Sequence, residues 1–336
     1  MSNLRLLAIS AMLSSALGLA ACGGGGGGYG GGNPPSSAAA SKLFAADSTD
    51  RLVGSLANRD PAAGSLIVDR AIGGMFNYAG FSTNIGSLAL DTTRDYLYVG
   101  NGTSIIVFHA ASMATGDIFA SGGFGTIGNT GSMFLDATHD RLYVGDDVNN
   151  VKVFSPASTA SGSSPTPRLI TGMATPIHGV AVDTTNNILY VSNENAGTHQ
   201  ISVFDNADSV TIAGPSRTIT PTVSAVNQPV GGISLDATRN ALYVAPGSGG
   251  NSIMVFTTAS TADGSIPPAK TLTITSAPGI LSVLVDAAND RLYAVGSTGH
   301  IYLIEAVSTL SSGAATAKDA PLSNGGMLTA VAVNPN

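Results

Sequence analysis

The chain has 336 residues, a formal net charge of −7 and charged side chains at only 10% of its positions. Because 43% of the residues are hydrophobic, the chain can bury a substantial core, and its acidic balance argues against nucleic acid as a partner. A single cysteine excludes a disulfide framework and a cysteine-based zinc cluster, and the lack of Trp argues against repeats built on Trp-Asp dipeptides.

Residues 1–21 are predicted to be a lipoprotein signal peptide. Arg5 precedes an apolar stretch, Leu6 to Leu19, which is too short to span a bilayer as a helix. The stretch ends in Leu19-Ala20-Ala21-Cys22, which resembles the bacterial lipobox, and this resemblance implies that Cys22 is lipidated. Several acyl chains on one residue give stable membrane attachment, whereas a single chain does not. The alternative is an ordinary signal peptide cleaved near Ala21.

Residues 22–41 are predicted to be a flexible tether. Nine of the ten residues from Gly23 to Gly32 are glycine, so the segment cannot bury enough apolar area to offset its backbone entropy. A glycine-rich coil of this length has a root-mean-square reach of roughly 25 Å. Among proteobacterial lipoproteins, Gly23 rather than Asp after the cysteine implies sorting to the outer membrane, with the domain facing the periplasm or the cell surface.

The remainder of the chain, residues 42–336, contains a repeat. Five segments share an apolar run, an Asp, a short polar turn and a Leu-Tyr pair, and neighbouring Asp residues are 45 to 53 residues apart. The repeated residues are Asp91, Asp136, Asp183, Asp236 and Asp286. Periods of 40 to 50 residues with several short strands per unit are typical of propeller blades.

Each repeat is predicted to form four antiparallel strands. The Asp starts the turn between strands one and two, because Asp side chains accept hydrogen bonds from backbone two positions on. The Tyr of strand two is expected in the core. A basic residue marks strand four, the outer edge, where a charge deters edge-to-edge aggregation. These basic residues are Arg168, Arg217, Lys270 and Lys318.

The two ends of residues 42–336 are predicted to share one blade. The segment from Lys42 to Asp47 matches a strand two and residues 65–70 match a strand four, but no strand one precedes them. The missing strand is found at the C-terminus, from Ala330 to Asn334, in register with the repeat. The fold class is therefore all-β, a six-bladed β-propeller of four-stranded blades whose C-terminal strand closes the ring against the N-terminal blade.

The repeat resembles a known family. The segments Gly179–Asp183, Leu189–Asn193 and Gln200–Asp205 together look like an NHL repeat, and they also resemble the related YVTN type of bacterial propeller repeat. This resemblance implies a six-bladed propeller. Members of the family include lyases, lactonase-like hydrolases and interaction scaffolds, so the repeat indicates the fold far more than the function.

Candidate metal ligands lie on one predicted rim of the central channel. They are Asp146, Asn193, Glu194 and His178. Oxygen-rich groups of this kind suit Ca²⁺, which takes six to eight oxygen ligands, and lactonase-like propellers resemble this in having an acidic and amide metal site at the channel mouth. The favoured interpretation is that the Asp and Asn residues at this position only cap turns, with no bound metal, and a Ca²⁺ site is the alternative.

No catalytic or cofactor-binding residue is predicted. The five histidines, His109, His139, His178, His199 and His300, are expected to be isolated, without a zinc site. The strand-one positions offer no titratable side chain to the channel. The interpretation is therefore a monomeric, membrane-anchored lipoprotein whose propeller rim binds a protein or glycan without catalysis, with no nucleic acid partner. The alternative is a metal-dependent, lactonase-like hydrolase or lyase that uses the acidic rim.

Overall fold

A computed structural model describes most of the repeat region. The described residues are 43–56, 70–72, 85–114, 120–125, 128, 130–146, 150–162, 166–174, 176–211, 214–223, 226–247, 249–321 and 326–333. They all belong to the unit that spans Ala39–Asn336. The predicted signal peptide 1–21, the tether 22–41 and the lipid site Cys22 lie outside them. Within the described part of the chain, no helix has the length and apolar character needed to cross a membrane.

The strands form six successive groups along the chain, and the first three groups contain three or four strands each. The first group is β1 (Leu43–Asp47), β2 (Leu52–Leu56) and β3 (Arg70–Ile72). The second is β4 (Ile85–Asp91), β5 (Tyr96–Asn101), β6 (Ser104–His109) and β7 (Gly122–Phe124). The third is β8 (Ser132–Asp136), β9 (Arg141–Gly145), β10 (Val151–Phe154) and β11 (Arg168–Ile170).

The other three groups contain additional short strands. The fourth group is β12 (Ile177–Asp183), β13 (Ile188–Asn195), β14 (Thr198–Asp205), β15 (Arg217–Val223) and β16 (Val226–Asn227). The fifth is β17 (Ile233–Asp236), β18 (Ala241–Val244), β19 (Ser252–Thr257), β20 (Gly264–Ile266) and β21 (Lys270–Thr273), with a 3₁₀ turn at Ala259–Thr261. The sixth is β22 (Ile280–Asp286), β23 (Arg291–Gly296), β24 (His300–Glu305), β25 (Gly313–Ala314) and β26 (Lys318–Pro321), with a 3₁₀ turn at Val307–Thr309.

The last strand, β27 (Leu328–Val333), closes a ring of six blades. It pairs antiparallel with β1, so that Leu43 lies opposite Val333 and Ala45 opposite Val331, and the sheet order of the first blade is β27-β1-β2-β3. The innermost strands of the six blades contact one another in the order β27, β4, β8, β12, β17 and β22. The ring is closed because β22 also contacts β27. The predicted six-bladed propeller and its closing strand are confirmed. The strand begins two residues before the predicted Ala330.

The core lies between adjacent blades. One hydrophobic cluster combines Tyr190 and Val203 of the fourth blade with Val244 and Phe256 of the fifth. The strand-two tyrosines are 2% exposed or less, which confirms their predicted place in the core. Other clusters join the remaining pairs of neighbouring blades, so the described strands of each blade pack against both the blade before and the blade after.

The repeated Asp stabilises the turn between the first two strands of a blade. In the fourth blade, Asp183 is buried and its Oδ1 accepts hydrogen bonds from the backbone N–H groups of Thr185 (3.0 Å) and Asn186 (2.9 Å). The Nδ2 of Asn186 donates to the other oxygen, at 2.8 Å. Both carboxylate oxygens are therefore satisfied within four residues, which explains why the turn tolerates a buried negative charge.

Replacement of Asp183 by Ala is expected to lower the free energy of unfolding by about 1–3 kcal/mol, because two backbone donors lose their acceptor. Urea denaturation followed by circular dichroism measures the change. Asp183→Asn is the conservative comparison, since it retains one side-chain oxygen and should lose less. Equal stabilities of the wild type and Asp183→Ala would show that the turn does not depend on this carboxylate.

The basic residues of the outer strands link neighbouring blades. The Nη2 of Arg168 donates to the carbonyl oxygen of Ala207 at 2.7 Å, and the Nζ of Lys270 donates to that of Ser308 at 2.9 Å. Arg217 bonds the carbonyl oxygen of Ser260 in the same way. Each acceptor belongs to the following blade. These three residues therefore connect one blade to the next, in addition to placing charge on an edge strand.

Two sheets have more strands than the predicted four, and the additions include parallel strands that cover outer edges. The strand β20 leaves the fifth blade and pairs in parallel with β15 of the fourth, and β25 leaves the sixth blade and pairs in parallel with β21 of the fifth. The fourth sheet also gains β16, antiparallel to β15. Pairing satisfies backbone groups that an edge strand would otherwise expose.

Candidate functional site

The inner strands of all six blades surround a central channel with a cavity of about 410 Å³. Most of the residues that line it are glycine, serine or aliphatic residues, among them Ser87, Ser132, Gly232 and Val283. Of the described residues that line the cavity, His178 alone has a titratable side chain. The prediction that strand-one positions bring no ionisable groups to the channel agrees with this lining, and His178 lies just before those positions.

A β-bulge places His178 at the channel. In β12, Ile177 pairs with Asn193 and Gly179 pairs with Ser192, so His178 is an extra residue without a partner on β13. Such bulges change the direction of a side chain. The same irregularity occurs at Gly86 of β4, where a Cβ atom would lie 2.2 Å from the backbone oxygen of Thr130. The second blade therefore excludes a side chain at the position where the fourth blade has an imidazole.

An extended hairpin brings a carboxylate and a second histidine to the same place. The two strands of this hairpin, β13 and β14, have eight residues each. The strands of the other blades that correspond to β13 have four to six residues. The turn residues Ala196 and Gly197 both have positive φ, 49° and 81°, as a tight two-residue hairpin requires. In this hairpin Glu194 lies directly opposite His199.

His178, Glu194 and His199 form a cluster, which we call the blade-4 cluster. One ligand atom from each residue lies within 4.8 Å of those of the other two. The Nδ1 of His199 is 3.7 Å from the Oε2 of Glu194. All three side chains are half-buried. The Nε2 of His178 is buried and has no hydrogen-bond partner among the described residues.

The electrostatics of the cluster favour a neutral His178. Burial lowers the pKa of this imidazole below its usual range, and the neighbouring His199 acts in the same direction. The carboxylate of Glu194 opposes the shift but does not reverse it. A neutral imidazole keeps a lone pair on one ring nitrogen, which is the form that binds metal ions.

The predicted rim residues have different surroundings. Glu194 and His178 come together in the blade-4 cluster, but Asp146 lies outside it and forms a buried ion pair in which its Oδ2 is 2.8 Å from the Nζ of Lys152. Asn193 is buried, and its Nδ2 donates to the Oγ of Ser202 at 3.2 Å. The structure thus uses Asp146 and Asn193 in contacts within their own blades.

His199, which lies opposite Glu194, was not among the predicted rim residues. Glu194 is two residues before the Ala196-Gly197 turn and His199 is two residues after it. This spacing predicts that the two side chains face each other once Ala196-Gly197 is recognised as a hairpin turn.

Other histidines also have partners. The Nδ1 of His139 is 2.7 Å from Asp136, and that of His300 is 2.7 Å from Asp319, so each of these imidazoles pairs with a carboxylate.

Comparison with known proteins supports the fold. A chain in the crystal structure of a nidogen/laminin complex matches with a TM-score of 0.59 and 13% sequence identity, over 87% of this chain and 98% of that chain. In all, 1307 chains of solved structures match, so the architecture is widely shared and does not identify a function. No protein-family model and no curated protein matches the chain. The NHL or YVTN repeat type stays a prediction, and the fold is a six-bladed β-propeller.

Proposed function

We propose that this protein is an envelope lipoprotein, anchored to the outer membrane through Cys22, whose propeller is a non-enzymatic binding or scaffolding module. The observation that carries the non-enzymatic part is the channel lining, in which His178 is the single titratable side chain among the described residues. General acid–base catalysis needs positioned ionisable groups, and the described lining of this channel supplies one such group.

The rim residues support the same proposal. A lactonase-like metal site at the channel mouth would need its acidic and amide ligands free to converge on one ion. Asp146 is instead neutralised by Lys152, and Asn193 is bonded to Ser202 and to the backbone of Ala174. These contacts argue against a metal site that uses the whole acidic and amide rim, which the hydrolase or lyase alternative requires.

A propeller rim is a suitable surface for a protein or glycan. The inter-blade hydrogen bonds and the closed ring hold the loops on a rigid frame, and loops on rigid frames carry many binding functions. The matching nidogen/laminin structure is a complex between two proteins, which supports protein binding as one use of this architecture. The acidic balance of the chain is consistent with a partner other than nucleic acid. We propose that the protein acts as a monomer.

Membrane anchoring rests on the N-terminal sequence. The one cysteine of the chain is at the end of Leu19-Ala20-Ala21-Cys22, and the glycine-rich segment after it gives the propeller a reach of roughly 25 Å from the lipid. The propeller would therefore reach partners near the membrane without contacting the bilayer.

The Cys22→Ser variant is expected to lose membrane attachment while the propeller still folds. Without the thiol there is no site for acyl chains, and once residues 1–21 have been cleaved off, a tether made mostly of glycine and small residues has no other means of staying in a bilayer. Fractionation of expressing cells should show the wild type in the membrane pellet and the variant in the soluble fraction. Mass spectrometry of the wild type should show a lipidated N-terminal cysteine.

Two outcomes would overturn the proposal. An unmodified wild-type chain that begins at a residue other than Cys22 would exclude the lipid anchor. The non-enzymatic role is tested by incubating the purified full chain with a panel of lactones and esters, with and without added divalent metal. No hydrolysis above that of buffer is expected. Hydrolysis by the wild type that is lost in Glu194→Gln would show that the protein is an enzyme rather than a binding module.

A further inference from the structure

We propose that the blade-4 cluster binds Zn²⁺ or a similar divalent transition-metal ion at the mouth of the central channel. Two imidazoles and one carboxylate are a common three-ligand set for zinc. Ca²⁺ takes six to eight oxygen ligands, and the cluster offers a single carboxylate. The chemistry of the donors therefore selects zinc over the calcium ion that oxygen-rich rim residues would suit.

The spacing of the donors is close to that of a formed site. Bonds of about 2.0–2.1 Å in tetrahedral geometry place neighbouring ligand atoms about 3.3 Å apart. The Glu194–His199 pair, at 3.7 Å, is near this distance, and no separation in the cluster exceeds 4.8 Å. The side chains of Glu194 and His199 are 32% and 23% exposed, so they have room to rotate and close the remaining gap of about 1.5 Å at most.

The charge balance also suits a cation. The side chains of the blade-4 cluster are one carboxylate and two imidazoles. A bound ion would thus meet one negative charge and two imidazoles. It would also satisfy a buried polar atom, the Nε2 of His178, which has no hydrogen-bond partner among the described residues. An unsatisfied buried polar group of this kind calls for a specific explanation.

Comparison of the blades shows that packing does not demand these residues. The positions equivalent to His178, five residues before the repeated Asp, are glycine in three other blades and leucine in one. These residues are Gly86, Gly131, Gly231 and Leu281. The fourth blade alone combines a histidine there with the longer hairpin that carries Glu194 and His199. A local departure from a repeated pattern is expected where a site has been added to the fold.

A fourth ligand position is available on the channel side. A zinc ion with three protein ligands takes water or a group of another molecule in its remaining position. His178 lines the 410 Å³ cavity, so a molecule in the channel mouth lies next to the ion. The site would therefore hold an anionic group, such as a carboxylate, of a molecule that enters the channel. The inference does not depend on the membrane anchor or on the identity of any partner.

The test is isothermal titration of the chelator-treated full chain with Zn²⁺ and, separately, with Ca²⁺. We expect one Zn²⁺ per chain and no comparable binding of Ca²⁺. Loss of a ligand in His178→Ala or His199→Ala should weaken Zn²⁺ binding by about 100-fold or more, because even groups that only orient a ligand contribute 10- to 100-fold. Zn²⁺ should also raise the melting temperature of the wild type but not of these variants.

The matched control is His300→Ala. His300 is half-buried and pairs with the exposed Asp319, at 2.7 Å, but belongs to no group of three ligands among the described residues. This variant should bind Zn²⁺ as the wild type does. Equal weakening in His300→Ala and His199→Ala, or no Zn²⁺ binding by a folded wild type, would refute the site. His199 is on the end of the hairpin, so its variant remains informative if His178→Ala fails to fold.

Discussion

Deletion of residues 330–336 is expected to unfold the propeller or to lower its free energy of unfolding by several kcal/mol. The deletion removes most of β27, in which Ala330, Val331 and Ala332 are each at most 8% exposed. It also leaves the hydrogen-bonding edge of β1 unpaired in the core of the ring. Buried aliphatic side chains contribute about 1.5–3 kcal/mol each when large, and a whole domain has only about 5–15 kcal/mol of stability.

Thermal and urea unfolding measure the effect, and a shorter deletion is the control. Removal of residues 334–336 alone spares β27, which ends at Val333, and should leave the melting temperature unchanged. A synthetic peptide of residues 328–336, added to the longer deletion, should restore stability by pairing with β1, as a donated strand does. An unchanged melting temperature after the longer deletion would contradict closure of the ring by β27.

The fold was predictable because its determinants repeat along the chain. The Tyr of strand two follows the buried Asp of the turn by seven residues in all five units, so weak local signals add up along the chain. Ring closure was predictable from the same repeat. The N-terminal blade lacks a strand one, and the C-terminal segment matches a strand one that has no blade of its own, so the two were expected to pair. The structure confirms both, with β27 against β1.

Features that depend on contacts between blades were not predictable from a repeat. The parallel strands β20 and β25 form because loops of one blade reach the outer edge of another, and nothing in their own sequences fixes that partner. The carbonyl partners of Arg168 and Lys270 were missed for the same reason. The sequence of a single outer strand indicates only that these residues place charge on a sheet edge, because their carbonyl acceptors belong to the following blade.

The candidate site was partly predictable. Glu194 and His178 were identified from their position on the rim, but the proximity of His199 depends on the exact pairing of β13 with β14. The bulge that points His178 toward the channel is a one-residue irregularity, which alternation of apolar and polar residues does not reveal. Asp146 was grouped with them by its repeat position, yet its charge is satisfied by Lys152 from the next strand.

Alkaline pH is expected to unfold the propeller cooperatively between about pH 10 and pH 12. Burial raises the pKa of Tyr243 and of Tyr302 to about 12, and it raises the pKa of Tyr98 and of Tyr190 beyond the normal range as well. An unfolded tyrosine titrates near 10. Below pH 10 the phenols are protonated in both states and the folded state keeps its full stability.

The sign of the effect follows from which state releases its protons first. Between pH 10 and pH 12 the unfolded chain loses phenolic protons that the folded chain retains, so the stability of the folded state falls as pH rises. A shift from 10 to about 12 in one tyrosine corresponds to about 3 kcal/mol at the top of this range. With several such tyrosines, the loss is comparable with the entire stability of a domain. Urea denaturation at a series of pH values measures it.

Tyr190→Phe separates this effect from general damage at high pH. The hydroxyl of Tyr190 is buried without a hydrogen-bond partner among the described residues, so its removal should leave stability at pH 7 unchanged or slightly increased. The variant also has one tyrosine fewer to ionise on unfolding, so the pH at which half of the protein is unfolded should rise. A tyrosinate absorbance titration should show the same cooperative step as circular dichroism. Gradual ionisation near pH 10 with the fold intact would show that these phenols are accessible to solvent and would contradict their burial between the blades.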